Sequence, residues 1–238
     1  MDPELHKKLQ IFLLAAIVLA GGRTAFILYQ RRETAQEDAK PRRETLLNPD
    51  YYVTPKKLHP HDLQSARQLT AQPVWVRLGY QISYYPYSAE RRQADFAHEA
   101  GTLPPLQKLA IQDVVTAVSP LAPGTTQVLA RFAIDGKDFA APIGVEKSGV
   151  FRIYSDNIFF IEDPHNLYNH WPADVWHKID AHAVQPGMSE LQAAFAVGMG
   201  IQQGSGAYGS RTLRYPNGGN PLTIAFENDK AVAIKPGS

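Results

Sequence analysis

Pro186-Gly187-Met188-Ser189-Glu190-Leu191-Gln192 marks the start of a helix, and the chain after it carries three runs of β-type residues. Ser189 is the N-cap, and Gln192 three residues on completes a capping box. Each side chain then satisfies a backbone N–H that would otherwise lack a partner at the helix start. Leu191, Phe195 and Met199 share a face at helical spacing, and Gly198 or Gly200 supplies the left-handed stop. Just upstream, residues 170–179 read as an earlier helix. Pro172 holds its first position, Asp174 its positive end and Lys178 its negative end, with Val175, Trp176 and Ile179 facing inward.

Downstream, residues 210–215, 222–226 and 231–234 are the three short strands. Pro216-Asn217-Gly218-Gly219-Asn220 and Glu227-Asn228-Asp229-Lys230 separate them, and turn chemistry of this kind joins antiparallel neighbours. The order is helix, helix, strand, strand, strand. With Pro186, Gly187, Met188 and Ser189 before the second helix, and Leu222, Ile224, Phe226 and Val232 in the strands, residues 171–234 resemble the SmpA/OmlA-type domain of the outer-membrane β-barrel assembly machinery. The same unit looks like the repeat of β-lactamase inhibitory proteins. Those assembly members are lipoproteins with an N-terminal cysteine, whereas this chain has no cysteine. The resemblance implies a two-helix, three-strand fold and a habit of binding other proteins. It implies no particular role, because fold does not fix function.

The N-terminus constrains location. Residues 9–29 form a mainly apolar run, interrupted chiefly by Gly21, Gly22, Arg23 and Thr24. About twenty such residues span a bilayer. Residues 11–20 ending in Val18-Leu19-Ala20 also fit the core and cleavage site of a signal peptide. The run resumes at residues 25–29, past that cut, so a retained single-pass inner-membrane anchor is expected. Arg23 either snorkels to the nearer interface or pairs with a polar group on another membrane helix. Lysines and arginines near the segment are more numerous after it, which places the body in the cytoplasm by the positive-inside rule. The resemblance and the signal-like start place it in the periplasm, the side expected here.

Four regions follow: an anchor or signal peptide at 1–30, a charged linker at 31–49, a β-rich domain at 50–163 and the SmpA/OmlA-like α+β domain at 164–238. The net charge of +1 supplies no basic field for nucleic acid. In the middle region, residues 62–69 suggest one short helix, and residues 74–80 alternate as a half-buried strand. Further runs at 109–118, 127–134, 139–145, 151–154 and 158–161 suggest an SH3-like or other small barrel. The fold class is therefore α+β behind a transmembrane helix.

Candidate chemistry is thin. His165, His170, His177 and His182 fall in one span with Asp163, Asp174 and Asp180, and imidazole and carboxylate are zinc ligands. On a helix starting at Pro172, however, His177 and His182 lie about 140° apart and do not converge. Solvated or capping histidines are expected there, as at His59 and His61, with no metal and no cofactor. Ser205 and Ser210 lie in a glycine-rich context that matches neither a nucleophile elbow nor a phosphate loop. Residues 198–209 read as a flexible connection.

Three readings of function remain. In the first, the chain is not an enzyme but a membrane-anchored envelope protein that recognises other envelope or membrane proteins. The C-terminal sheet face or an exposed strand edge binds the partner, through Tyr208, Arg211, Arg214 and Tyr215. In the second, Trp75, Tyr80, Tyr84, Tyr85 and Tyr87 form a platform for cell-wall glycan or peptide. Against it, Tyr84 and Tyr85 face opposite sides if their strand continues. The third is a metal-dependent hydrolase using the histidine span. The first is the expected reading.

Overall fold

The computed structural model describes Arg23 and residues 48–77, 79–119 and 122–237. The expected anchor and linker lie outside the described residues, apart from Arg23, which is helical and exposed, and the linker's last two residues. Among the described residues no helix is long and apolar enough to cross a membrane. Residues 49–238 form one compact unit.

The first half is mostly strand: β1 Val74–Val76, β2 Ser83–Ser88, β3 Gln93–Ala94, β4 Gly101–Thr102, β5 Lys108–Leu109, β6 Ile111–Val118, β7 Thr125–Ile134, β8 Lys137–Lys147, β9 Val150–Ile153 and β10 Phe159–Phe160. Two single-turn helices interrupt it, α1 Leu63–Ala66 and α2 Ser155–Ile158. The second half runs α3 Pro164–Leu167, α4 Ala173–Asp180, α5 Glu190–Val197, then β11 Ile201–Ala207, β12 Ser210–Tyr215, β13 Leu222–Glu227 and β14 Lys230–Pro236. The result is β-rich with a few helices, an α+β arrangement.

A curled seven-stranded sheet follows the path β3-β2-β8-β7-β6, with β4 added to β2 and β9 to β8. Its inner face carries Val114, Val128, Ala130, Phe132, Ala141 and Ile143, closed by Leu69 and Ala66 from the α1 region. Aliphatic and aromatic side chains of this size each contribute about 1.5–3 kcal/mol when fully buried. β1, expected to reach Tyr80, ends at Val76, and Tyr80 itself lies in a turn at φ 60°. Between the runs expected at 151–154 and 158–161 the chain forms α2, whose Asp156 carboxylate accepts from the N–H groups of Leu58 at 3.0 Å and His59 at 2.8 Å.

A small three-stranded sheet has the order β10-β1-β5, and the C-terminal sheet has the order β11-β12-β13-β14. The C-terminal sheet corrects the expected three-stranded meander, since β11 occupies the stretch read as a flexible loop. Leu213, Tyr215, Ile224, Phe226 and Ala231 bury one face of this sheet against Val175, Trp176 and Ile179 of α4 and Phe195 and Val197 of α5. The capping box is present: the Gln192 N–H donates to Ser189 Oγ at 3.2 Å, and the Ser189 N–H to Gln192 Oε1 at 2.9 Å. Gly198 ends α5 at φ 84°. Asn228 and Asp229, at φ 50° and 57°, form the two-residue turn between β13 and β14, with the left-handed geometry that tight hairpins need.

Candidate functional site

Glu190 sits at the first position of α5 and is only 4 % exposed. A carboxylate so deeply buried requires partners for its lone pairs, and two residues of the β11–β12 hairpin, Gly209 in the turn and Arg211 in β12, supply them. Oε1 accepts from the Gly209 N–H at 2.7 Å, and Oε2 accepts from Arg211 Nη2 at 2.8 Å and Nε at 3.1 Å. The neighbouring positive end of the helix also favours the negative charge.

Arg211 carries the connection onward. Its Nη1 donates to Gln202 Oε1 at 3.0 Å, and Gln202 Nε2 donates to the carbonyls of Gly206 at 3.0 Å and Gly204 at 3.3 Å. A relay of side chains thus runs from the helix start, through β12, to the edge strand. It holds β11 where the pairing register slips between Gln203 and Ala207. Gly206 lies at φ 153°, and a Cβ there would come within 2.7 Å of Arg211 Cβ and of the Ser210 carbonyl oxygen. Only glycine fits beneath the arginine.

The electrostatics follow from the same contacts. Arg211 is pushed above its ordinary range, first by its hydrogen bonds to Glu190. Asp229 is pushed up by burial and by the charges of Glu190 and Asp50, although its Oδ1 accepts from the Glu190 N–H at 3.0 Å. Tyr208 lies under the Arg211 guanidinium, 5.5 Å from carbon to ring centroid, and is 55 % exposed. Partial burial, with Asp229 and Glu190 nearby, raises its hydroxyl to about 12.

The four expected recognition residues therefore do not share one surface. Tyr208 and Arg211 belong together beside β11. Arg214 is half-buried and, by strand alternation, points to the opposite side of the sheet from Arg211. Tyr215, expected to be exposed, is fully buried: its ring packs in the C-terminal core, and its hydroxyl has no hydrogen-bond partner. Burial pushes that hydroxyl far above its ordinary range.

The five aromatics expected as a platform are likewise divided. Tyr84 meets Phe132 and Phe139 edge-on in the main core, while Tyr85, facing the other way as alternation predicts, meets Phe96. Tyr87 is buried under the Arg131 guanidinium, Trp75 packs against the C-terminal core, and Tyr80 sits between Gly198 and Gly218. Tyr87 does border an open cavity of about 750 Å³, with Phe96, Val118, Arg91 and Asp95 among its walls.

The histidine span is structural in its contacts. His165 bridges Asp163 at 3.0 Å and Asp180 at 3.1 Å and stacks on Trp176; His170 meets Asp50 at 2.6 Å; His182 Nδ1 lies 3.1 Å from the Ala196 carbonyl. His59 lies 3.7 Å from Asp156 and His61 3.6 Å from Asp62. Among the described residues no three or more histidines, aspartates or glutamates converge as a metal site. Comparison with protein families, with curated proteins and with solved structures finds no match to this chain.

What sequence reading missed is β11 and the pairing of Glu190 with Arg211. In the sequence Glu190 reads only as part of a helix start. The single sequence signal for β11 is Ile201-Gln202-Gln203 leading straight from the helix stop, and three glycines or alanines after it hide the strand.

Proposed function

We propose that this chain is a membrane-anchored envelope protein that acts by noncovalent recognition of another membrane-bound protein. One observation carries this reading: every residue of β11 is exposed, on an edge of the C-terminal sheet, with Tyr208 projecting beside it. Unpaired edge groups of this kind accept an added strand. The far edge is guarded, because β14 carries Lys230, Lys235 and Pro236. In this reading residues 9–29 are the anchor, with Arg23 at the membrane helix, and the body lies in the periplasm. The curled sheet serves as a small barrel, and the helical pairs with their sheet serve as an SmpA/OmlA-type unit. Neither cofactor nor nucleic acid is used.

Affinity purification of the full chain from its native membrane in mild detergent, followed by mass spectrometry, tests this. Reproducible partners in a defined ratio are expected from wild type and are lost in a folded Gln203→Pro variant. Wild type emerging with no partner of any kind would sink the reading.

The cavity beside Tyr87 favours a second reading, binding of a cell-wall peptide or glycan between Phe96 and Val118. Retention on isolated peptidoglycan that disappears in Val118→Glu would support it, and equal retention of both proteins would exclude it.

A further inference from the structure

We infer that the corner formed by β7, β8 and β9 binds the phosphate group of an organic phosphate ester. The site belongs to a different sheet from β11, and it stands whether or not that edge recognises a protein. Strand register builds it. Thr125 pairs with Lys147 and Lys147 with Val150, while Val145 pairs with Arg152 in the next row. Paired residues share a face, as do residues two apart on one strand, so these five side chains project from one side of three neighbouring strands. Thr125 has the parity of Leu129, opposite to Val128 and Ala130 of the main core. The shared side is therefore the one turned away from that core. With Ser148 from the hairpin turn, the five wall an open cavity of about 540 Å³.

Charge defines the ligand. Lys147 and Arg152 are diagonal neighbours across the β8–β9 pair, a placement that sets Cβ atoms about 7–8 Å apart. Both are exposed, and among the described residues neither side chain has an ion pair or a hydrogen bond. Arg67 and Arg211 each meet a carboxylate, Asp113 and Glu190; Lys147 and Arg152 border the cavity instead, and no carboxylate is among its walls. Glu146, between Val145 and Lys147, alternates to the other face, and its Oε1 accepts from the Gly149 N–H at 2.6 Å. Two like charges on neighbouring strands repel, and an anion between them turns repulsion into attraction. Arg152 offers a planar fork and Lys147 a point charge, both suited to phosphate oxygens. The hydroxyls of Thr125 and Ser148 supply two further donors.

The apolar part of the wall selects an ester over inorganic phosphate. Val145 is half-buried and Val150 is 61 % exposed, and an organic substituent laid on them removes apolar surface from water. The walls are set in advance: Ser148 and Gly149, at φ 54° and 81°, make the tight two-residue turn that holds Lys147 opposite Val150.

Calorimetric titration of the full-length chain in nonionic detergent and phosphate-free buffer tests this, with inorganic phosphate, phenyl phosphate and dihexanoyl phosphatidylglycerol as probes. Saturable binding at one site per chain is expected, several-fold tighter for an ester than for inorganic phosphate. The tighter ester names the source, a soluble phosphate compound or a lipid headgroup. Lys147→Gln and Arg152→Gln should each weaken binding by about ten-fold or more. A Lys230→Gln, Lys235→Gln double variant removes two positive charges from exposed positions of β14 and should leave binding unchanged. No saturable binding, equal affinity for inorganic phosphate and both esters, or equal weakening by the β14 variant would overturn the inference.

Discussion

The carboxylate of Glu190 and the guanidinium of Arg211 meet at 2.8 Å between the start of α5 and the middle of β12, and the carboxylate side of the pair is almost wholly buried. Removing Arg211 leaves the Glu190 carboxylate inside the protein without its counter-charge, whereas the Arg211 guanidinium reaches solvent. Arg211→Ala is expected to cost about 3 kcal/mol by equilibrium denaturation. A cost below that of an ordinary surface change would mean that the pair is solvated.

Tyr215 separates packing from recognition. Its hydroxyl is buried without a partner, so Tyr215→Phe deletes only an unsatisfied polar group and should change stability by less than about 1 kcal/mol. Tyr215→Ala opens the core and is expected to cost about 3–5 kcal/mol. Thermal and chemical unfolding of the two variants checks this contrast.

Asp229 sets a pH dependence with a definite sign. Its carboxyl is raised above the ordinary 3.8, chiefly by burial, so the folded state favours the protonated form. Stability from this group is therefore greatest below the unfolded value and falls as pH rises through the folded one. Asp229→Asn keeps an acceptor for the Glu190 N–H and tolerates the left-handed turn. It should raise the melting temperature at pH 7 by about 1–3 °C, and the gain should vanish at pH 3. A gain that grew on acidification would contradict the assignment.

Gly206→Ala probes the relay. The added methyl meets Arg211 and the Ser210 carbonyl at 2.7 Å, an overpacking expected to cost about 1–3 kcal/mol. Amide exchange in β11 should accelerate with it. Unchanged protection there would show that the edge strand is held by β12 alone.

Local chemistry explains which parts could be read from the amino acids. The capping box at Ser189 and Gln192, the inward face of α4 and the strands β12 to β14 announce themselves within a few residues, through caps, helical spacing and turn residues. β2 and β11 do not. In β2 Pro86 and four half-buried positions blur the alternation, and β11 has no buried face at all. Neither the loss of Tyr215 to the core nor the pairing of Glu190 with Arg211 could be read, since both depend on how separate elements pack. The dispersal of the tyrosines was half legible: alternation alone sends Tyr84 and Tyr85 apart.

Tyr80 and Phe160 tie the first half of the fold to the second. The Tyr80 ring fills space that side chains at Gly198 and Gly218 would occupy, with Cβ atoms built there coming within 3.0 and 2.8 Å of it, and Phe160 from the first half lies in the core of the second. The halves are therefore not interchangeable parts. A recombinant hybrid that joined this C-terminal sheet to a foreign N-terminal half would need its own aromatic at that turn and its own counterpart of Phe160, or the grafted sheet would arrive with a hole in its base.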